Sequence, residues 1–478
     1  KRIAGLHHKL SQQYAWWRIA WGAWCALVFA VVVGVLIYML AFRWNSSAIV
    51  LWIVVAAVFG YALWNEIKEE TTIYKWLYSW VHAIIFATVV ATLIQLYWFQ
   101  MFVIPTGSME STLLAGDYIL VNKVSYGPRV PMTPLSFPLA QHTLPILNCK
   151  SYIETPSWDY RRLAGLDTIK ALDIVVFNFP AGDTVAMKMQ MPDYYTLCEY
   201  YGRENVWKNK DVFGEIDVRP VDRRENYVKR CVGLPGDSLQ IIDGQIYING
   251  LIQKNPANLQ KNYLVMTDGR KLSEEQFKRL GVSVDDRNLI NSWRNGDVIL
   301  QNLQYPVNEN NSYNPVYYLP LTVQSLNMIR NFPNVLEVIE DPDLFSHQVY
   351  PKAYTHWTRD DYGPIYIPRK GATVQVNMEN YPLYERLIRT YEGNDLQVKD
   401  STIYINGEVA TEYTFKMNYY WMMGDNRHNS EDSRFWGYVP EDHIVGKPLF
   451  VWLSIDKDKS GFNAIRWNRF FKWVDDIK

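Results

Sequence analysis

The sequence predicts three N-terminal transmembrane helices followed by a mainly-β domain, an antiparallel sheet carrying an α+β insertion. Three observations predict it. Long apolar runs are confined to the amino end, short β-forming runs fill the rest, and a polar stretch with helix caps interrupts them.

Segment 20–42 is almost unbroken apolar sequence, and a helix crosses a bilayer core in about 20 residues. Segment 48–64 is a second run near the lower limit, and 77–99 is a third, flanked by Trp and Tyr as interfacial anchors. His82 and Gln95 interrupt the third and read first as helix-packing contacts. Such a succession is not the single short apolar region of a cleaved leader. Lys1, Arg2, Lys9 and Arg18 precede the first run, Lys68 and Lys75 lie between the second and third, and only Arg43 separates the first two. The positive-inside rule therefore places 1–19 in the cytoplasm and everything after about residue 100 on the exported face.

From Tyr118 the chain reads as β. Tyr118-Ile-Leu-Val-Asn, Asp173-Ile-Val-Val-Phe-Asn-Phe, Gln240-Ile-Ile and Gln245-Ile-Tyr-Ile-Asn are short runs bounded by turn residues, and Asp243-Gly244 marks a hairpin. The β domain is expected over 100–253 and 365–456. An inserted subdomain over 254–364 holds a helix capped by Ser273 and stopped by Gly281, and a second over 322–330. Gly236–Gly250 (GDSLQIIDGQIYING) repeats without gaps as Gly393–Gly407 (GNDLQVKDSTIYING), implying two similar hairpins; the same register sets Arg386 opposite Lys229. The tail, 457–478, spaces Trp467, Phe470, Phe471 and Val474 as a helix would and mixes them with Arg466, Arg469 and Lys472. It is expected to form a basic amphipathic helix, lying on lipid or packed on the β domain.

A formal net charge of -1 leaves no basic stripe for phosphates, which excludes nucleic acid as the main partner. Neither C-x-x-C nor H-E-x-x-H occurs, so no metal is expected, and nothing calls for a cofactor. Cys25 and Cys231 read as core thiols, whereas Cys149 and Cys198 are free to pair or not in an exported segment.

Three segments carry possible chemistry. Thr106-Gly-Ser108-Met puts a hydroxyl beside a glycine, where backbone amides can approach a carbonyl; alone it reads first as a polar turn. Tyr227-Val-Lys229-Arg230-Cys-Val-Gly-Leu-Pro-Gly-Asp sets one lysine in an apolar run. A dry amine loses its proton easily enough to activate a serine, although alone the segment reads first as a snorkelling surface lysine. Gly424-Asp425-Asn-Arg-His428-Asn-Ser430-Glu-Asp432-Ser-Arg434-Phe-Trp-Gly is a turn-rich loop in which Asp432 and Arg434 can pair.

Taken in order, these segments resemble the type I signal peptidase family, which removes leader sequences from exported proteins. The resemblance covers the last span through Met109, then about 171–253 and about 393–456. It implies Ser108 as nucleophile, Lys229 as general base, and Thr106 with the Ser108 amide as oxyanion hole. Ser430 would bond the lysine amine, and Asp425, Asp432, Arg434 and Arg230 would brace the site, with β-run 173–177 lining the cleft. It also implies preprotein signal peptides and membrane lipid as partners, and a multi-pass protein of the bacterial cytoplasmic membrane with its catalytic domain on the periplasmic face. The Ser108–Lys229 interval exceeds the family's usual one, so 128–170 and 188–222 must loop out, and His428 stands where an acidic residue is common. Two rival readings remain: a noncatalytic membrane-anchored β-rich binding or assembly protein, and a self-cleaving Ser-Lys peptidase.

Overall fold

The computed structural model describes residues 72–138, 140–144, 149–189, 193–309, 311–344 and 348–477. The expected segments 1–19, 20–42 and 48–64 lie outside the described residues.

Two compact units divide the chain, one of 1–95 with 133–158 and one of 96–132 with 159–478. In the first, the described residues form most of a helix, Thr72–Tyr97, and a short paired segment with bridges at Ser136–Tyr152 and Thr143–Lys150. The part Tyr78–Tyr97 is the one span among the described residues long and apolar enough to cross a membrane. The expected span reached Phe99. The helix stops earlier because Phe99 already pairs with Asn122 in the sheet.

The second unit is built on an eight-stranded sheet. Its strands are β1 (Phe99–Val103), β2 (Asp117–Asn122), β3 (Ile174–Asn178), β4 (Asn226–Gly233), β5 (Tyr419–Met423), β6 (Val439–Pro440), β7 (Ile444–Ser454) and β8 (Lys472–Trp473). The order is β1-β2-β7-β3-β4-β5-β6, with β8 also on β7 and every pairing antiparallel. β7 is the longest of these and the only one to span both halves of the sheet. β3 is buried along its whole length, and β2 alternates, which is why one reads as a continuous apolar run and the other as a period-two pattern.

The two long excursions leave the β3–β4 register unbroken from Ile174–Arg230 to Asn178–Asn226. Arg162 closes the base of the first, donating to the carbonyls of Gly127, Glu441 and Ile444. The second folds into short helices over Tyr194–Tyr201, Arg203–Lys208 and Lys210–Phe213, whose Leu197, Val206 and Phe213 make a small core of their own.

Both repeats form hairpins, Ser238–Ile242 with Gln245–Ile248 and Leu396–Lys399 with Thr402–Ile405, each extended by a short third strand. Asp243-Gly244 and Asp400-Ser401 all take positive φ, the geometry that suits a two-residue hairpin turn. Leu239, Ile241 and Ile246 of one copy share a buried cluster with Leu396 and Ile403 of the other.

Within 254–364 a four-stranded sheet is ordered Asn288–Leu289, Val316–Thr322, Gln260–Thr267, Val335–Glu340. Helix Glu274–Leu280 starts in a full Ser273–Gln276 capping box and ends at left-handed Gly281, and Val323–Ile329 is capped by Thr322. Val265, Phe277, Leu319 and Ile329 belong to its separate core.

The tail overturns the helical expectation. It forms 3-10 turns at Gly461–Ala464, Trp467–Arg469 and Val474–Asp476, with β8 between the last two pairing Phe450 and Val451. Phe471 at φ 53 breaks any helical run, and Arg469 is drawn inward to the Asp117 carboxylate and the Thr112 carbonyl. Val474 and Ile477 join the core beside Met109 and Leu113. Specific burial decides this segment against its helical spacing. Cys149, Cys198 and Cys231 are free thiols.

Candidate active site

Ser108 sits in the 3-10 turn Gly107–Met109, entered from β1 through extended Thr106 and anchored below by buried Met109. Lys229 lies in β4 opposite Val175 of buried β3. Its Nζ is 2.6 Å from Ser108 Oγ. The lysine is 3% exposed, so the surface-snorkel reading fails. Burial pushes its amine from the ordinary 10.5 down to about 8, with Arg434 adding to the fall and Asp432, Glu431 and Asp425 opposing it. A substantial fraction is therefore neutral near pH 8 and able to accept a proton.

Two ion pairs, each with a buried carboxylate, fix the surroundings. Arg230 holds Asp425 through both ends, Nε at 2.7 Å and Nη2 at 2.6 Å, while Thr112 Oγ1 donates to the same carboxylate at 2.6 Å. Asp432 accepts from Arg434 Nε and Nη2, each at 2.9 Å, and from the Gly424 amide at 3.1 Å. Burial would raise the Asp432 carboxyl, but Arg434's charge and hydrogen bonds hold it below the usual range. Each charge is paired, as buried charges must be to persist.

Gly424 separates the loop from the serine turn. A Cβ there would stand 2.2 Å from Ser430 Oγ and 2.6 Å from the Ser108 carbonyl oxygen, so no other residue fits without displacing both. Asn426 then grips the turn, its amide donating to the Ser108 carbonyl and its Nδ2 to the Gly107 carbonyl, both at 3.2 Å.

Of the residues singled out from sequence, Ser108, Lys229, Arg230, Asp425, Asp432 and Arg434 gather around this turn. Thr106 caps it from an exposed position, with its side chain unused in capping. Ser430 departs from expectation: its Oγ is buried against Gly424 and bonds no protein group among the described residues, the lysine amine included. Asn426, Thr112 and Gly424 went unrecognised, although Asn426 lies inside G-D-N-R, where a side chain with both donor and acceptor suits a loop clamp.

Comparison with known proteins follows the same residues. The chain matches the family described as "Signal peptidase, peptidase S26" over 77–312 and 366–453. The chain belongs to this signal peptidase family. It is 25% identical to a Signal peptidase I of Buchnera aphidicola subsp. Acyrthosiphon pisum over 383 residues, 79% of this chain and 76% of the relative. To the Haemophilus influenzae Signal peptidase I it is 23% identical over 380 residues, 79% and 70% of the two chains. A Helicobacter pylori (strain J99) Signal peptidase I is 32% identical over a shorter 154 residues, 29% and 51%. The family match extends into 254–312, beyond the reach read from the motifs alone. Membership makes the chain a serine endopeptidase and removes the noncatalytic reading.

Proposed function

We propose that this signal peptidase is anchored in the bacterial cytoplasmic membrane and cleaves N-terminal signal peptides from exported preproteins, with Ser108 as nucleophile and Lys229 as general base. The observation that carries the proposal is the 2.6 Å approach of a dry amine to the Ser108 hydroxyl.

In this scheme neutral Lys229 takes the Ser108 proton as Oγ attacks the scissile carbonyl. The Thr106 hydroxyl and the Ser108 amide receive the oxyanion. The ammonium of Lys229 then gives its proton to the departing amine, leaving an ester on Ser108. Lys229 next takes a proton from water as the water oxygen attacks the ester, and passes that proton to the departing Ser108 Oγ, which restores both the hydroxyl and the neutral amine. Asp425, Arg230, Asp432 and Arg434 serve as braces, and Asn426 holds the nucleophile's backbone.

Substrate recognition is proposed to follow the family, with small residues at the first and third positions before the cut. β5 covers β4 only over Arg230–Gly233, which supports an extended leader lying along the preceding residues up to Lys229. The apolar helix ending at Tyr97 supports membrane anchoring, and the charge pattern supports a multi-pass arrangement with a cytoplasmic amino end and an exported catalytic domain.

The test is cleavage of a preprotein in lipid vesicles by the full chain and by Ser108→Ala and Lys229→Ala. Wild-type cleavage with both variants silent is expected. Cleavage by either variant at near wild-type rate would reject the dyad.

A further inference from the structure

We infer that His428 is a positioning residue through which segment 254–364 holds the loop that grips Ser108. The inference rests on the Ser108–Lys229 reading above.

Strand Gln260–Thr267 docks on the loop at its first residue. The Gln260 amide donates to the Asp425 carbonyl and its carbonyl accepts from the Arg427 amide, both at 2.9 Å, bracketing Asn426. Two residues on, the Asn262 amide donates to His428 Nδ1 at 3.2 Å, and Asn262 Nδ2 donates to Asn429 Oδ1 at 3.0 Å. On the other side of the ring, His428 Nε2 lies 3.2 Å from Asp360 Oδ1. The imidazole side chain is fully enclosed.

These contacts assign the ring's proton. A backbone N–H pointing at Nδ1 requires a lone pair there, so Nε2 carries the hydrogen and donates it to Asp360. Asp341 stands 3.6 Å from Nδ1, but its carboxylate already accepts from Tyr318 and pairs with Arg359. The position thus needs an acceptor on one side and a donor on the other. Histidine supplies both. A carboxylate would keep the Asn262 bond but turn a negative charge on Asp360 and Asp341 with nothing to donate.

The connection then runs from Asp360 and Asn262 through His428 to Asn426, and from Asn426 to the Ser108 carbonyl. Neither His428 nor its partners touches the serine hydroxyl. A disturbed loop is expected to misplace the nucleophile without changing how the leader binds.

The experiment measures kcat and KM on a preprotein with full-length enzyme in vesicles, alongside thermal melting. His428→Asp is expected to lower kcat about 100-fold with KM within about twofold, the size a displaced nucleophile produces. His428→Gln, which offers a carbonyl and an amide, should stay within about tenfold of wild type. The double variant His428→Asp with Asp360→Asn should regain most of the lost kcat, because the new amide can donate to the new carboxylate. Wild-type kcat in His428→Asp, or no recovery in the double variant, overturns the inference. Should His428→Asp fail to fold, Asp360→Ala replaces it, with about a tenfold loss in kcat expected and an unchanged kcat overturning the idea. An inactive wild type or an active Ser108→Ala would instead strike the dyad itself.

Discussion

At the same distance ahead of the two hairpin repeats stand two cations, Lys229 buried and Arg386 half-buried, and only one is placed to give up its proton. Lys229 projects from a strand into a dry site facing Ser108, and burial brings its amine down to about 8. Arg386 ends the helix Tyr381–Arg386, donates to the Trp436 carbonyl at 3.0 Å and lies over the rings of Tyr195 and Tyr350 at 4.5 and 5.9 Å. Burial opposes its charge too, but Tyr391, Tyr350, Tyr195 and Asp183 outweigh it and push the guanidinium further from titration. Enclosure alone therefore does not make a base. An enclosed cation becomes one when its neighbours leave the desolvation cost uncompensated.

The largest effect should come from erasing that difference at the proposed base. Lys229→Arg keeps the charge but cannot lose it at any working pH, so kcat/KM for preprotein cleavage should fall by about 1,000-fold or more. In the wild type, kcat/KM should rise about tenfold per pH unit below 8 and level off above it, as Lys229 deprotonates. A flat profile between pH 6 and 9 would separate catalysis from the titration of this amine.

Gly424 sharpens the comparison by showing what keeps the serine side in place. The Gly424→Ala methyl meets Ser430 Oγ and the Ser108 carbonyl at distances no real contact tolerates, so the Ser108 turn must move. A loss of about 100-fold in kcat is expected from a shift of that kind, with the pH midpoint near 8 unchanged because Lys229 stays dry. A shifted midpoint would mean that the glycine instead governs the lysine pocket.

How legible the site was depended on whether its contacts are local. Ser108, Lys229 and the 424–434 loop each lie in a dense contiguous segment, so residue type and order are enough to single them out as candidates. The mainly-β character also followed from β2, β3 and the Asp243-Gly244 turn, whose patterns are short-range. What tied the loop to segment 254–364 was not readable. The Gln260–Asn426 bridge joins residues far apart in sequence, and neither the strand nor the loop carries a mark of its partner. Nor does the sequence show that the Ser430 hydroxyl, buried beside Gly424, makes no bond to the lysine amine. The tail failed for the same reason: helical spacing was visible, but the pull of Asp117 on Arg469 was not.

Stability should expose the cost of the dry amine. Below pH 8 the folded protein must hold a proton on Lys229 in a site that disfavours it, whereas the unfolded chain binds it at the ordinary 10.5. The penalty is complete below pH 8, fades as pH rises and vanishes above 10.5, so native stability should climb across that window. Lys229→Met removes the group with little change of shape. It should be inactive yet more stable at pH 7 by on the order of 2 kcal/mol, reduced from the full penalty by the lost Ser108 contact. Denaturant melts at pH 7 and 10.5 would test it, and an equal gain at both would show that packing rather than charge is responsible.

Arg386→Lys carries the smallest expected effect and closes the comparison from the other side. Lysine retains the charge at this second position but loses the planar contact over Tyr195 and shortens the reach to the Trp436 carbonyl. A loss of about 1 kcal/mol in stability is expected, with kcat and its pH midpoint unchanged. The ammonium should also stay charged through pH 9, because the Asp183 carboxylate and the faces of the Tyr195 and Tyr350 rings favour the cation that the Lys229 site disfavours. That can be read by following the titration of an isotope-labelled lysine at position 386. A midpoint near 8 there would mean that any lysine enclosed in this fold becomes a base, and the distinction between the two repeats would lie only in which one happens to carry the lysine.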